Sequence, residues 1–319
     1  MTQSLNTAAQ PIFLVGSTRS GSTLLSLMLG QHSQIAFAGE FQWVFDNLPP
    51  DQPYDPHAYY RNLQADRIFQ AHRPEINLDL DFEDLCRSIL AQMHADTDPG
   101  KPYVLVSVHR HYHRLHEIWP DARFVYLVRD ARDVCASWLK LGWHGTAWSG
   151  ACEWRRLVRE WQELRPKLSE HQVIELRLED LIKAPARHLE TVCAMLGVAY
   201  EPAMLDFHKH SSYGPITAGR VGTWKRKLTE RQVNLVETVA APELETYDYP
   251  LVGNERVELT PAYETRLQIE DRVRCVAARA RQFGPMLWFS EALTRRLGPE
   301  TLHQKLLQRM HRITNAHLE

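Results

Sequence analysis

The five cysteines of this 319-residue chain, Cys86, Cys135, Cys152, Cys193 and Cys275, are odd in number and form no CxxC pair. That spacing excludes a fully paired disulfide framework and points to reduced, mostly buried thiols in a reducing compartment. No run of about 18 apolar residues exists from which a membrane-spanning helix could be built. The opening MTQSLNTAAQ lacks the basic start and apolar stretch of a signal peptide. A cytoplasmic protein with no membrane span is therefore expected. A basic excess is also missing: 37 Lys and Arg stand against 39 Asp and Glu, for a formal net charge of -2. This excludes a general nucleic-acid binder, so any anion site must be local.

The chain does carry a normal globular composition, 44% hydrophobic and 24% charged, enough for one large α/β domain with an appendage. Short apolar runs at 12–15, 103–108, 124–128 and 173–178 are each followed by a helical pattern, the signature of a parallel sheet. Residues 35–38 could add a further strand, and 21–30, 131–141 and 186–196 have helical composition between turn signals. The expected fold is α/β: three layers of phosphate-loop (P-loop) type, with a central parallel sheet of about five strands flanked by helices. Residues 1–10 are expected to be a flexible N-terminus, 11–245 the main domain, and 246–319 a linker and helical C-terminal extension. Apolar residues at helical spacing (Tyr263, Leu267, Val273, Val276, Ala280) support that extension, whose arginines read as the solvated face of a helix packed on the core or on a partner. A homo-oligomer formed through these helices is one expected assembly.

The first strand runs into Gly16, Ser17, Thr18, Arg19, Ser20, Gly21, Ser22 and Thr23, and then into the apolar helix LLSLML. Such a turn aims successive backbone N–H groups at one point, and the helix dipole adds about half a positive charge there, so an anion can be held. A kinase or ATPase loop would read GxxxxGK[ST]; here Ser22 occupies the lysine position. Arg19 lies inside the loop instead, where its planar fork could reach a sulfuryl oxygen or the bridging oxygen of a leaving phosphate.

A second motif follows the strand RFVYLV: Arg129, Asp130, Ala131, Arg132, Asp133, then Ser137 and Trp138. Arg129 emerges at the carboxyl end of a strand, where open α/β sheets bind ligands. Together with Ser137, nearly two helical turns beyond Ala131, it could clasp one phosphate. Taken alone, the charged residues also read as a capping and salt-bridge cluster at a helix start. A third motif is the glycine-punctuated basic loop Gly219, Arg220, Val221, Gly222, Thr223, Trp224, Lys225, Arg226, Lys227. It suits a lid over a phosphate and equally a solvated basic loop, and Thr229 after it is a candidate N-cap.

In order and spacing these motifs resemble those of the PAPS-dependent sulfotransferases (PAPS, 3'-phosphoadenosine 5'-phosphosulfate), of the bacterial and Golgi-related branch whose loop reads RSG[ST]T. Thr18 to Leu25 match PRSGTTLL-type loops, Arg129 to Trp138 match RDxRDVxxSW, and Gly219 to Trp224 match GRxGxW. Val173 to Gly197 match the strand, EDL turn and helix, so coverage runs from about Pro11 to Gln232. The resemblance implies that Gly16 to Thr23 hold the 5'-phosphosulfate with Arg19 as a catalytic cation. It further implies that Arg129 and Ser137 bind the 3'-phosphate, and that Arg220, Gly222, Trp224 and Lys225 cover the nucleotide. PAPS is then a co-substrate, and no metal is required.

In-line sulfuryl transfer needs a general base. Glu40 stands where tyrosylprotein-type relatives carry the glutamate of a Gly-Glu pair and is the expected base. His109 is the competitor, because cytosolic relatives place a histidine after the corresponding strand. Val106, Ser107, Val108 and His109 stand where many relatives show Lys-Thr-Pro, so no lysine is available there. The neighbouring His111, His113 and His116 could suggest a metal, but no matching carboxylate or cysteine set accompanies them. Trp138, Trp143, Trp148, Trp154 and Trp161 could line an apolar acceptor cleft or simply form core. The acceptor class stays open: small molecule, glycan, lipid or carrier-bound. A P-loop small-molecule kinase and a non-catalytic nucleotide-binding module are the competing functions.

Overall fold

The computed structural model describes residues 9–48, 53–253 and 255–318. Most of the segment expected to be a flexible N-terminus, residues 1–8, lies outside them. Gln10 already pairs with Tyr103, so ordered structure starts inside that segment. The apolar runs form β1 (Gln10–Val15), β2 (Ile35–Glu40), β3 (Tyr103–Val108), β4 (Arg123–Val128) and β5 (Val173–Arg177). They make one sheet in the order β2-β3-β1-β4-β5, every pair parallel.

The helices between and after the strands are α1 (Ser22–Gly30), α2 (Trp43–Asp46), α3 (Pro56–Ala65), α4 (Arg67–His72), α5 (Phe82–Thr97), α6 (Tyr112–Ile118), α7 (Ala131–Leu141) and α8 (Ala147–Leu164). They continue with α9 (Leu178–Lys183), α10 (Pro185–Leu196), α11 (Trp224–Lys227), α12 (Glu230–Thr246), α13 (Pro261–Phe283), α14 (Pro285–Leu297) and α15 (Glu300–Leu318). None of the described helices is long and apolar enough to cross a membrane.

Side chains alternate across a strand, and β1 shows the consequence: Phe13 and Val15 enter one core cluster while Ile12 and Leu14 enter the other. Both faces of the sheet are thus covered, which is why the strands read as unbroken apolar runs rather than as alternating patterns. On α8 the buried positions Trp154, Leu157, Val158 and Trp161 recur at helical spacing. Trp161 stacks on Tyr126 of β4 with ring centroids 4.6 Å apart, a geometry worth about 0.5–1.5 kcal/mol beyond the area it buries. Trp138, Trp154 and Trp161 are therefore core. Trp148 is half-buried against the same core, and Trp143 alone of the five is exposed.

The segment after α12 is strapped to that helix: Glu237 accepts from the backbone N–H groups of Val252 and Gly253. Beyond it, α13 docks on the turn between α7 and α8. Asp271 accepts from the N–H groups of Gly145 (2.7 Å) and Thr146 (3.0 Å) and from the Ser149 hydroxyl. The approach is close enough that a Cβ on Gly145 would lie 2.4 Å from the Asp271 carbonyl oxygen.

Candidate active site

The chain leaves β1 toward β2 and arrives at β4 on the other side, so the strand order reverses between β1 and β4. In open α/β sheets this is where ligands bind. The loop after β1 occupies that crevice. Gly16 has φ +150°, and an added Cβ would sit 2.3 Å from the carbonyl oxygen of Leu127 in β4, so only glycine lets the two backbones come this near. Gly21, φ +99°, turns the chain into α1. Between them Arg19 holds φ +70°, a left-handed conformation unusual for a residue with a side chain and found mostly where function over-determines the backbone.

The conformation sends the Arg19 side chain across the crevice, where its Nε donates to Ser137 Oγ of α7 at 3.0 Å. Arg129, at the end of β4, donates to the Arg19 carbonyl (2.9 Å) and to the Arg220 carbonyl (2.6 Å), tying loop to lid. Trp138 Nε1 donates to Thr18 Oγ1 at 2.9 Å. The sequence-expected residues Arg19, Ser22, Thr23, Arg129, Ser137 and Arg220 converge on one cleft of about 780 Å3. Ser20 Oγ and Arg129 Nε are buried there without a hydrogen-bond partner in the protein. The one carboxylate among the described residues of the cleft wall, Asp133, is consumed by the lid. It accepts from Gly222 N (2.8 Å), Thr223 Oγ1 (2.7 Å) and Trp224 N (2.8 Å). Reading Asp133 as an ordinary helix-start charge misses this role, whereas Asp130 is the N-cap, accepting from Arg132 N. Three arginines and three hydroxyls facing an engaged carboxylate make a pocket for a multiply charged anion.

The lid residues divide. Arg220 lies on the cleft wall with its guanidinium 4.9 Å from the Tyr213 ring centroid. Gly222, φ +65°, supplies the turn. Trp224 is 7% exposed and packs under the buried Arg132 guanidinium at 4.2 Å, so it anchors the lid rather than facing the cleft. Lys225 leans over the Trp224 ring and does not line the cleft; Lys227 does. The sequence expectation placed Lys225, and not Lys227, over the nucleotide; Lys227 lies one helical turn after Thr223 and donates to its hydroxyl at 3.0 Å, which sets it on the cleft wall. Tyr213, on the same wall, carried no sequence signal.

The carboxyl ends of β2, β3 and β1 set Glu40, His109 and Gly16 side by side. Glu40 pairs with Ser107 across β2 and β3. His109 is 4% exposed and its Nδ1 lies 2.9 Å from the Gly16 carbonyl oxygen. A carbonyl only accepts, so Nδ1 carries the proton and Nε2 keeps its lone pair. Burial lowers the His109 pKa, opposed by the nearby Glu40 charge, and the ring is neutral at pH 7. His111 instead meets Asp46 at 3.2 Å and His113 meets Glu160 at 3.5 Å. Among the described residues no three His, Cys, Asp or Glu side chains gather as a metal site.

A family model described as the sulfotransferase family matches residues 11–202. An uncharacterized protein of Aquifex aeolicus (strain VF5) is 27% identical over 221 residues, 63% of this chain and 27% of that protein, so the chain spans little more than a quarter of that relative's length. Among solved structures, the sulfotransferase domain from the curacin biosynthetic pathway superposes with a TM-score of 0.53 at 17% identity, over 77% of this chain and all of that domain. The sulfotransferase STF9 of Mycobacterium avium gives 0.50 at 14% identity, over 77% of this chain and 79% of that one. At such identities these two likenesses speak for the fold, and the match across residues 11–202 for the family. The chain belongs to the sulfotransferase family.

Proposed function

We propose that the protein transfers the sulfuryl group of PAPS to an acceptor hydroxyl or amine, releasing adenosine 3',5'-bisphosphate. The observation that carries this reading is the convergence of Arg19, Arg129, Ser137 and Arg220 on one cleft at the β1/β4 switch point. Two separated anions, the 5'-phosphosulfate and the 3'-phosphate, match its two halves. The N–H groups and hydroxyls of Gly16 to Thr23 hold the phosphosulfate. Arg129 and Ser137 take the 3'-phosphate, helped by Lys227, while Arg220 and Tyr213 cover the nucleotide, with Gly222 and Trp224 shaping the lid and Lys225 outside it. The catalytic unit in this reading is residues 11–245, with 246–319 as its helical extension. The setting is reducing, in keeping with five unpaired cysteines.

Transfer is in line. The acceptor oxygen or nitrogen forms a bond to sulfur as the bond from sulfur to the bridging phosphate oxygen breaks, and the acceptor proton passes to the base. Arg19 places positive charge on the sulfuryl and bridging oxygens as the leaving group gains charge, a contribution of about 2.7–4 kcal/mol for one such donor. We assign the base to Glu40. The fixed tautomer of His109, with an unprotonated Nε2, favours a second assignment in which His109 takes the proton. The two are separated by substitution: Glu40→Gln lowers kcat by about 100- to 10,000-fold if Glu40 is the base. Normal kcat in that variant with loss in His109→Gln transfers the role.

A further inference from the structure

A second cleft of about 660 Å3 lies on the far side of the lid helix α11, between the end of α7 and the docked helix α13. Its walls carry Lys140 from α7, Lys227 from α11, and Arg274 and Arg281 from α13, and no carboxylate is among its described lining residues. Some arginines of the protein are matched to acids, as Arg110 is to Asp46, Arg132 to Asp130 and Glu237, and Arg159 to Glu243. Here only Arg274 has such a match, with Glu270 at 2.6 Å. The other acid nearest on α13, Asp271, is spent on the N–H groups of Gly145 and Thr146. Lys140 and Arg281, from two elements, thus line one space with no acid matched to them among the described residues, and Lys227 lies between this cleft and the donor cleft, an arrangement that favours an anion. Between the cations the lining is mixed, with Leu139, Leu228 and alanines beside the polar His144 and Gln232.

We propose that this cleft is a second anion site that takes an organic sulfate or phosphate monoester, its charged head on Lys140 and Arg281 and its apolar body against the leucines. One wall is α13, which lies outside the residues 11–202 that match the family. One wall of the site therefore belongs to this chain's C-terminal extension. Lys227 also lines the donor cleft, so the two sites adjoin across a single short helix.

The test is calorimetric titration at low ionic strength, with the donor cleft saturated by adenosine 3',5'-bisphosphate. The probes are 4-nitrophenyl sulfate, 4-nitrophenyl phosphate and the uncharged 4-nitroanisole. The expected result is binding of at least one ester, no binding of the neutral ether, and a Kd raised roughly tenfold for each cation removed in Lys140→Gln and Arg281→Gln, the ratio that a charge-assisted contact carries. Which ester binds tells sulfate from phosphate. The proposal is overturned if neither ester binds, if the ether binds as well as the esters, or if the double variant K140Q/R281Q binds them as the unmodified protein does. Bisphosphate affinity in that variant should stay unchanged, since neither residue lines the donor cleft.

Discussion

Arg19 and Ser137 meet across the crevice between β1 and β4, the guanidinium Nε donating to the hydroxyl at 3.0 Å. In the proposed reading one residue serves the phosphosulfate and the other the 3'-phosphate, so the pair would connect the two anion subsites. Arg19→Ala is expected to lower kcat by about 100- to 1,000-fold, the loss of one preorganised cation on developing charge. Affinity for adenosine 3',5'-bisphosphate should stay within a few-fold. Ser137→Ala should do the reverse, raising the donor KM by about tenfold while kcat holds. Steady-state kinetics with labelled PAPS separates the two, and a joint loss of kcat in both variants would contradict the division of roles.

Asp133 holds the lid by three hydrogen bonds from residues that lie about ninety positions downstream. Asp133→Asn removes the charge and leaves one accepting oxygen, with an amide N–H2 facing a lid donor where the other oxygen stood. A stability loss of about 1–3 kcal/mol is expected by urea unfolding, together with weaker donor binding. An unchanged midpoint would mean that the lid is held by Trp224 packing alone.

Gly16→Ala puts a methyl group 2.3 Å from the Leu127 carbonyl oxygen, backbone against backbone, with little freedom to yield. The expected cost is above about 2 kcal/mol, with loss of bisphosphate binding as β1 and β4 part. Gly21→Ala meets only the end of the Leu178 side chain, at 2.5 Å, though its φ is also positive. It should be the milder of the two in thermal unfolding.

The buried, neutral His109 gives a pH signature. Its folded pKa lies below the unfolded value of about 6.5. Above pH 6.5 neither state takes up the proton and the stability is at full value. As pH falls below that, the unfolded chain protonates first and stability is lost down to the depressed folded pKa. His109→Gln should therefore lose less stability between pH 7.5 and pH 5.5 than the unmodified protein does in urea melts. An equal loss would place the titration in other residues, such as the half-buried His144, whose pKa burial also lowers.

Much of this was legible because the sheet is buried on both faces. The apolar runs at 12–15, 103–108, 124–128 and 173–178 became strands within a residue or two, and 35–38 extended to Glu40. The loop from Gly16 to Thr23 was legible because glycine spacing is a backbone requirement. Strand order was not, since it depends on which loops cross which faces. The tryptophans could be read two ways, because seven-residue spacing on α8 suits a core stripe and a cleft wall alike; burial of Trp154 and Trp161 decided it. Lys225 was expected over the nucleotide and Lys227 was not, because a run of basic residues carries no phase; a single turn of helix puts Lys227 on the cleft wall instead.

The central claim, a donor site built for a 3'-phosphorylated nucleotide, is tested most directly by thermal unfolding in the presence of adenosine 3',5'-bisphosphate or of ATP with magnesium. The account predicts stabilisation of about 2.7 kcal/mol by the bisphosphate at 100 times its Kd, lost in Arg129→Ala. Stabilisation by ATP with magnesium and none by the bisphosphate would contradict it and give the cleft to a kinase.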